Sequence, residues 1–204
     1  MTDEAVAAIR AGQLVVLPTD TVYGLCCDGY REPPFRRLTV LKGRPEAMPV
    51  ALLAADLDAL LDAVPEARGR AAVVARALLP GPYTLVLPNP ARRFRWLCGT
   101  TPEAIGVRVP DLPAASRAVV ERVGIVAATS ANEHGGPDPA RLEDVPPEIL
   151  DGCGALVDAG ELPGTPSTVV DLTGPDPVVL REGAVPTEQV LAEVRRVLAG
   201  KTAG

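Results

Sequence analysis

Short apolar runs alternate with amphipathic segments along most of the 204-residue chain, and this alternation limits the fold more than any other feature of the sequence. The apolar runs end at Pro, Gly or polar turn residues, as buried strands do, whereas the amphipathic segments repeat their apolar residues every three or four positions. Strands interleaved with helices predict an α/β domain with a mixed sheet. The predicted strands are 13–17, 83–87, 105–109, 124–128, 155–158, 168–172 and 178–180.

The helical segments lie between these strands. A first helix contains Val6 and Ile9, a second opens at Pro33-Pro34, and Gly43 is suited to end the second in the left-handed conformation. A loop is predicted between residue 18, which ends the first strand, and the second helix. Further helices are predicted over 56–79 with a break near Pro65, over 114–123 and over about 187–198.

We expect one globular domain, residues 1–204. A chain of this size with 47% hydrophobic residues buries about 70% of its unfolded surface, which is enough for one stable domain. The first ten residues lack the basic start and apolar core of a signal peptide, and no apolar run approaches the ~20 residues of a membrane-spanning helix. We therefore expect a cytoplasmic protein that does not interact with membranes. The net charge of −6 counts against a protein whose whole surface binds nucleic acid.

The cysteines and the single histidine point to neither a metal site nor a Ser-His-Asp hydrolase. The four cysteines, Cys26, Cys27, Cys98 and Cys153, have no C-x-x-C spacing, so we expect reduced, buried or half-buried thiols and no protein-bound metal. His134 is the only histidine, and no G-x-S-x-G turn accompanies it. A Ser-His-Asp hydrolase is therefore disfavoured.

Lysine is rare in this chain, since only Lys42 and Lys201 of the 20 basic residues are lysines. A lysine ammonium neutralises a phosphate as a compact point charge, whereas the arginine fork binds two phosphate oxygens. Lys42-Gly43-Arg44 places both kinds of anion-binding group on one short turn. The alternative interpretation is a helix C-terminus with basic residues that the helix dipole favours.

The tripeptide Ser-Ala-Asn at 130–132 follows a predicted strand, in the kind of loop where open α/β sheets bind ligands. Its hydroxyl and amide groups could donate to phosphates or to a base edge, because residues two apart in an extended chain share a face. An ordinary turn after a strand has the same composition, so both interpretations stay open.

Taken together, these segments resemble the YrdC-like threonylcarbamoyl-AMP synthase family. The K-x-R and S-x-N pairs of that family are matched by Lys42/Arg44 and Ser130/Asn132. Further matching segments, in the same order, are P-T-D-T-V-Y-G-L at 18–25, P-G-P-x-T at 80–84, V-R-x-P at 107–110 and S-T-V-V-D at 167–171. The resemblance covers about residues 12–183. It implies a single YrdC-like domain in which helices flank a twisted mixed β-sheet around a positively charged cavity.

The resemblance also implies an activity. Members of the family form threonylcarbamoyl-AMP and pyrophosphate from L-threonine, bicarbonate and ATP, with Mg²⁺ held mainly by the ATP phosphates. This is the activity of a nucleotidyltransferase. A downstream tRNA threonylcarbamoyl transferase complex then uses the product to modify the adenosine beside the anticodon, so we expect at most weak tRNA binding by this chain.

The residue roles that the resemblance implies divide between two ligands. ATP would be bound by Lys42, Arg44, Ser130, Asn132 and Arg181, of which Lys42 and Arg44 would be catalytic. The threonine site would be formed by Thr21, Arg108, Ala128 and Ser167. An arginine such as Arg108 suits the substrate carboxylate, and the two hydroxyls suit a small polar substrate.

Three positions depart from the family pattern. Met48, Leu53 and Asp138 stand where relatives carry, respectively, asparagine or lysine, histidine and serine. These changes leave adenylation as the expected chemistry, but they bear on the choice of amino acid. A paralogue that adenylates a different carbamoyl compound is one alternative. A YrdC-like RNA-binding module is the other, and the acidic charge balance counts against it.

Overall fold

The computed structural model describes residues 1–200, so Lys201 lies outside the described part of the chain. The strands are β1 (Leu14–Pro18), β2 (Tyr23–Asp28), β3 (Ala51–Ala54), β4 (Tyr83–Pro88), β5 (Ala104–Arg108), β6 (Ile125–Ser130), β7 (Cys153–Leu156), β8 (Thr168–Asp171) and β9 (Val178–Arg181). The α-helices are α1 (Thr2–Arg10), α2 (Glu32–Lys42), α3 (Leu57–Ala63), α4 (Gly69–Leu78), α5 (Ala114–Val123), α6 (Pro147–Asp151) and α7 (Thr187–Ala199). Single 3₁₀ turns occur at Arg95–Leu97 and Leu142–Asp144.

All nine of these strands form one sheet, in the order β7-β1-β2-β6-β3-β5-β4-β8-β9. The pairs β1–β7, β3–β5 and β4–β8 are parallel. The other neighbouring pairs are antiparallel. The predicted mixed sheet flanked by helices is therefore confirmed.

One face of the sheet is packed against the larger hydrophobic core. Strand residues such as Leu25, Leu52 and Val107 point to this face and are fully buried. They contact apolar residues of α2, α3, α4 and α7. Full burial of an aliphatic side chain of this size contributes about 1.5–3 kcal/mol, so this face supplies most of the hydrophobic stabilisation.

The opposite face is only partly covered. Helices α1 and α5 pack against it through a second apolar cluster that contains Val15, Cys26 and Leu53. Further along the same face, Ala51 and Gly106 remain partly exposed. We refer to this uncovered part of the face, together with the space beside it, as the cleft.

Helix α2 shows how local sequence positions the cleft. Proline occupies its first turn, where the missing N–H costs nothing, and Phe35 and Leu38 pack into the core. Gly43 ends the helix with φ 62° and ψ 26°, the left-handed conformation that was predicted. The chain therefore turns sharply after Lys42 and carries Arg44 back towards the sheet.

Several predicted elements are corrected by the structure. The segment predicted as a loop after residue 18 contains β2, Tyr23–Asp28, which is buried and pairs with both β1 and β6. Strand β6 continues to Ser130 instead of ending at 128, and β7 begins two residues before the predicted start at 155. Helix α6 was not predicted, because five residues are too few to show a helical period.

The cysteines are reduced and buried to the extent predicted. Cys26, Cys27 and Cys98 are buried, and Cys153 is half-buried. Burial raises the pKa of the Cys26 thiol to about 12. At neutral pH it stays protonated and behaves as a small apolar side chain.

Candidate functional site

Lys42 joins the K-x-R turn to the S-x-N segment. Its Nζ donates hydrogen bonds to the Ser130 carbonyl at 2.6 Å, the Asn132 carbonyl at 2.7 Å and the Asn132 Oδ1 at 2.6 Å. The side chain has only three donors, and all three are used. Lys42 is 3% exposed, and burial, with a smaller effect of Arg44, lowers its pKa to about 8.

The turn after β6 is held by a network centred on Asn132. The Asn132 Oδ1 accepts from the Ser130 hydroxyl at 2.7 Å as well as from Lys42. The Asn132 Nδ2 donates to the Gly136 carbonyl at 2.6 Å. The two ends of the amide group are therefore fixed, and the turn holds a defined shape beside the K-x-R residues. His134 is exposed on this turn and contributes only its backbone N–H, to the Lys42 carbonyl.

Three arginines face the same space from different elements. Arg44 Nη2 donates to the Pro49 carbonyl at 2.8 Å, and Arg181 Nη2 donates to the Ser167 carbonyl at 2.9 Å. Burial lowers the pKa of both Arg44 and Arg108, and repulsion from Arg181 lowers each further, although Asp20 opposes this at Arg108. Such repulsion requires the guanidinium groups of Arg44 and Arg108 each to lie near that of Arg181.

These arginines have few anionic partners. Asp20 is the only carboxylate within residues 1–200 that forms an ion pair with any of the three, at 2.8 Å from Arg108 Nη2. The Nε atoms of Arg44 and Arg108 are buried and have no hydrogen-bond partner in the described part of the chain. A cluster of cations in which Arg44 and Arg108 have unused buried donors is suited to an anionic ligand.

Two of the predicted threonine-site residues adjoin these arginines. The Thr21 hydroxyl is 3.2 Å from Arg108 Nη2, and the Ser167 hydroxyl is 3.3 Å from Arg181 Nη2. Both residues are nearly fully buried. Ala128 is 8% exposed and lies on β6, two residues before Ser130 and therefore on the same face.

The structure thus brings the predicted site residues into connected groups. Lys42 bonds to Ser130 and Asn132, Arg44 and Arg108 each face Arg181, and Thr21 and Ser167 each contact one of these arginines. Three side chains with direct contacts were given no role from the sequence. They are Asp20, which pairs with Arg108, Thr19, whose hydroxyl is 3.0 Å from that of Thr21, and Thr84, whose hydroxyl is 2.8 Å from that of Ser167. All three lie inside the P-T-D-T and P-G-P-x-T segments. Their position in these segments is the sequence signal that could have identified them.

The segment between β7 and β8 passes over the end of the β1–β2 connection. The Tyr23 hydroxyl donates to Asp158 Oδ1 at 2.6 Å, and the Gly164 N–H donates to the Thr21 carbonyl at 2.9 Å. Burial, with Asp158 as the second cause, raises the pKa of Tyr23 to about 12, so it remains a donor at neutral pH. These bonds fix the backbone that presents Thr21.

Comparison with known proteins identifies relatives of this chain. The Sua5/YciO/YrdC family model, described as telomere recombination, matches residues 7–183. A protein of Mycobacterium tuberculosis (strain H37Rv) is 38% identical across 98% of this chain and 91% of its own length. A Pyrococcus abyssi (strain GE5 / Orsay) protein named threonylcarbamoyl-AMP synthase is 35% identical across 94% of this chain. The chain spans 57% of the length of that protein.

Solved structures show the same fold. The crystal structure of P. abyssi Sua5 complexed with L-threonine has a TM-score of 0.82 and 33% identity, over 94% of this chain and 56% of that one. The crystal structure of E. coli YciO has a TM-score of 0.80 and 27% identity, over 93% of this chain and 92% of that one.

Residues 1–200 contain no helix with the length and apolar character to cross a membrane. They also contain no cluster of three or more His, Cys, Asp or Glu side chains arranged to bind a metal ion.

Proposed function

The chain belongs to the Sua5/YciO/YrdC family, and from this membership and the cleft geometry we propose that it is a threonylcarbamoyl-AMP synthase. Such an enzyme forms threonylcarbamoyl-AMP and pyrophosphate from L-threonine, bicarbonate and ATP, and is by class a nucleotidyltransferase. The proposal is supported by the name of the P. abyssi relative and by the L-threonine bound to P. abyssi Sua5.

The observation that carries the proposal is the convergence of Arg44, Arg108 and Arg181 with one carboxylate partner among them. A triphosphate would relieve their mutual repulsion and occupy the unused donors. We assign Arg44 and Arg181 to the ATP phosphates, with Lys42 and the Ser130–Asn132 turn at the same end of the cleft. We assign catalysis to Lys42 and Arg44, with Arg44 acting directly on the phosphates and Lys42 acting through the turn that its three hydrogen bonds hold.

We assign the amino-acid half of the ligand to the adjoining part of the cleft. Arg108 would pair with the substrate carboxylate, whereas Thr21 and Ser167 would bond its polar groups. Ala128 would form part of the wall. Asp20 holds the Arg108 guanidinium through one Nη atom, which leaves the other donors of the fork for a ligand.

The chemistry assigned to these residues is charge stabilisation. An oxygen of the carbamate formed from L-threonine and bicarbonate bonds to the α-phosphorus of ATP, and the bond from that phosphorus to the bridging oxygen breaks as pyrophosphate leaves. The side chains form no covalent bond in this step; they position the two substrates and neutralise charge on the leaving group. Mg²⁺, bound by the phosphates, would supply further neutralisation.

The product would then pass to a tRNA threonylcarbamoyl transferase complex. We propose that this chain binds tRNA at most weakly, because the adenylate is made before RNA is required. The net charge of −6 also opposes broad contact with phosphates.

Pyrophosphate release and adenylate formation, measured with ATP, bicarbonate and each amino acid in turn, test the proposal. L-Threonine should give the highest rate, and omission of bicarbonate should abolish it. Arg44→Ala should lose most activity, whereas Arg36→Ala should retain it, because Arg36 is exposed on α2 and pairs with Glu32. Turnover with a different amino acid or carbamoyl compound would establish the paralogue, and tight RNA binding without adenylate formation would establish the RNA-binding module.

A further inference from the structure

The floor of the cleft is made of unusually small side chains. Ala51 pairs with Ala128 across β3 and β6. Strands β3 and β5 are parallel with Leu52 beside Val107, so Ala51 and Gly106 are neighbours on the opposite, cleft-facing side. On the core side, Leu52 and Val107 fill the corresponding positions of β3 and β5 and are fully buried, whereas β6 carries the small Ala127 there.

Gly106 is the smallest member of this floor, and the fold does not require a glycine there. A Cβ built at this position would lie 3.7 Å from Ala51 Cα, 3.7 Å from Thr84 Cγ2 and 3.9 Å from Ala51 Cβ. These are ordinary van der Waals distances, and φ is not in the left-handed region. By contrast, a Cβ at Gly183 would lie 2.2 Å from the Pro166 carbonyl oxygen, which explains that glycine by packing alone.

Glycine within a strand is costly, because it loses more conformational freedom on folding than any other residue and has no side chain to pack. Where neither backbone conformation nor protein packing needs it, a strand glycine commonly marks the close approach of a ligand. Gly106 meets that description, since it is half-exposed on the cleft face of β5.

The surroundings of Gly106 indicate which part of the ligand lies above it. Arg108 is two residues further along β5, on the same face. Thr84, which would contact the added Cβ, bonds through its hydroxyl to Ser167. Both Arg108 and Ser167 belong to the amino-acid end of the proposed site.

We propose that Gly106 is a specificity-determining residue, whose missing side chain leaves the room in which the side chain of the amino-acid substrate packs against the sheet. The proposal rests on the function proposed above. It predicts that a single added methyl group removes the space for the threonine methyl group and leaves the sheet and the phosphate end intact.

The test compares wild-type protein with Gly106→Ala by calorimetric titration with L-threonine, L-serine and ATP. In the variant, L-threonine affinity should fall by about tenfold or more, as expected for one methyl group in a close-fitting pocket. L-Serine, which lacks that methyl group, should lose less, so the threonine-to-serine preference should fall. ATP affinity should stay within about twofold of wild type, since the proposed phosphate ligands are untouched.

Two further variants separate this effect from a folding defect. Ala51→Val adds volume to the same floor from β3 and should change amino-acid preference in the same direction. Gly174→Ala, in an exposed turn where the nearest atom to the added Cβ is 3.8 Å away, should change nothing. The melting temperature of Gly106→Ala should equal or exceed that of wild type, because alanine costs less than glycine in a strand.

Each outcome of these titrations supports or overturns the Gly106 proposal. Wild-type protein that binds L-threonine, combined with a Gly106→Ala variant that binds it equally well, overturns the Gly106 proposal and leaves the proposed function standing. Equal losses for L-threonine and L-serine also overturn it, because preference is then unaffected. Wild-type protein that binds no L-threonine overturns both.

Discussion

Replacing Lys42 with methionine should lower the free energy of unfolding by about 1.5–6 kcal/mol and weaken ATP binding through the loosened turn after β6. Methionine preserves the length and apolar stem of the side chain but donates no hydrogen bond. It would leave the Ser130 carbonyl, the Asn132 carbonyl and the Asn132 Oδ1 without the ammonium that they now share.

The size of the destabilisation expected for Lys42→Met follows from two opposing effects. A hydrogen bond that involves a charged group contributes about 1.5–3 kcal/mol, and Lys42 makes three of them. Against this, holding the ammonium away from water is unfavourable: the fall of the Lys42 pKa from its ordinary 10.5 to about 8 corresponds to about 3 kcal/mol. The hydrogen bonds exceed this cost, so their removal should destabilise the protein.

Urea unfolding at pH 7 and ATP titration of wild type, Lys42→Met and Lys42→Arg measure both effects. ATP affinity should fall by about tenfold or more, since a displaced ligand-binding turn loses its alignment with the substrate. Arg36→Met, on the exposed side of the same helix, is the matched control and should change neither quantity. Lys42→Met that unfolds within about 0.5 kcal/mol of wild type, yet no longer binds ATP, would refute this reasoning and assign Lys42 to the phosphates alone.

Three other measurements bear on the site. Arg181→Ala should weaken ATP binding without lowering the melting temperature, since the residue is exposed at the end of β9; a large drop in melting temperature with normal ATP affinity would make Arg181 structural. Any tRNA affinity should be weak and should decrease steeply with salt, and tight sequence-dependent binding at physiological salt would contradict this. Between pH 8 and about 10.5 the folded state gives up the Lys42 proton while the unfolded state keeps it. The unfolding free energy of wild type relative to Lys42→Met should therefore rise with pH across that window and be flat below it, as parallel denaturation series can show.

Sequence patterns predicted every α-helix except α6, and most strands, because one face of each is apolar and the other is not. Helix α5 has the predicted bounds, and Gly43 ends α2 as its conformational freedom suggested. Strand β2 was missed for a physical reason: it lies between β1 and β6, both of its faces are covered, and its residues from Tyr23 to Cys27 are all buried. A strand of this kind shows no alternation of polar and apolar residues, so its sequence resembles that of a buried loop.

The site could be predicted only in part, because half of its contacts are made with the backbone. The rarity of lysine singled out Lys42, but carbonyl oxygens at residues 130 and 132 are present in any sequence and leave no signature. The same bonds join the two motifs, because the lysine of K-x-R holds the asparagine of S-x-N. This connection fixes the position of Ser130 relative to α2 and to Arg44, so the two motifs act as one structural unit on any ligand placed between them.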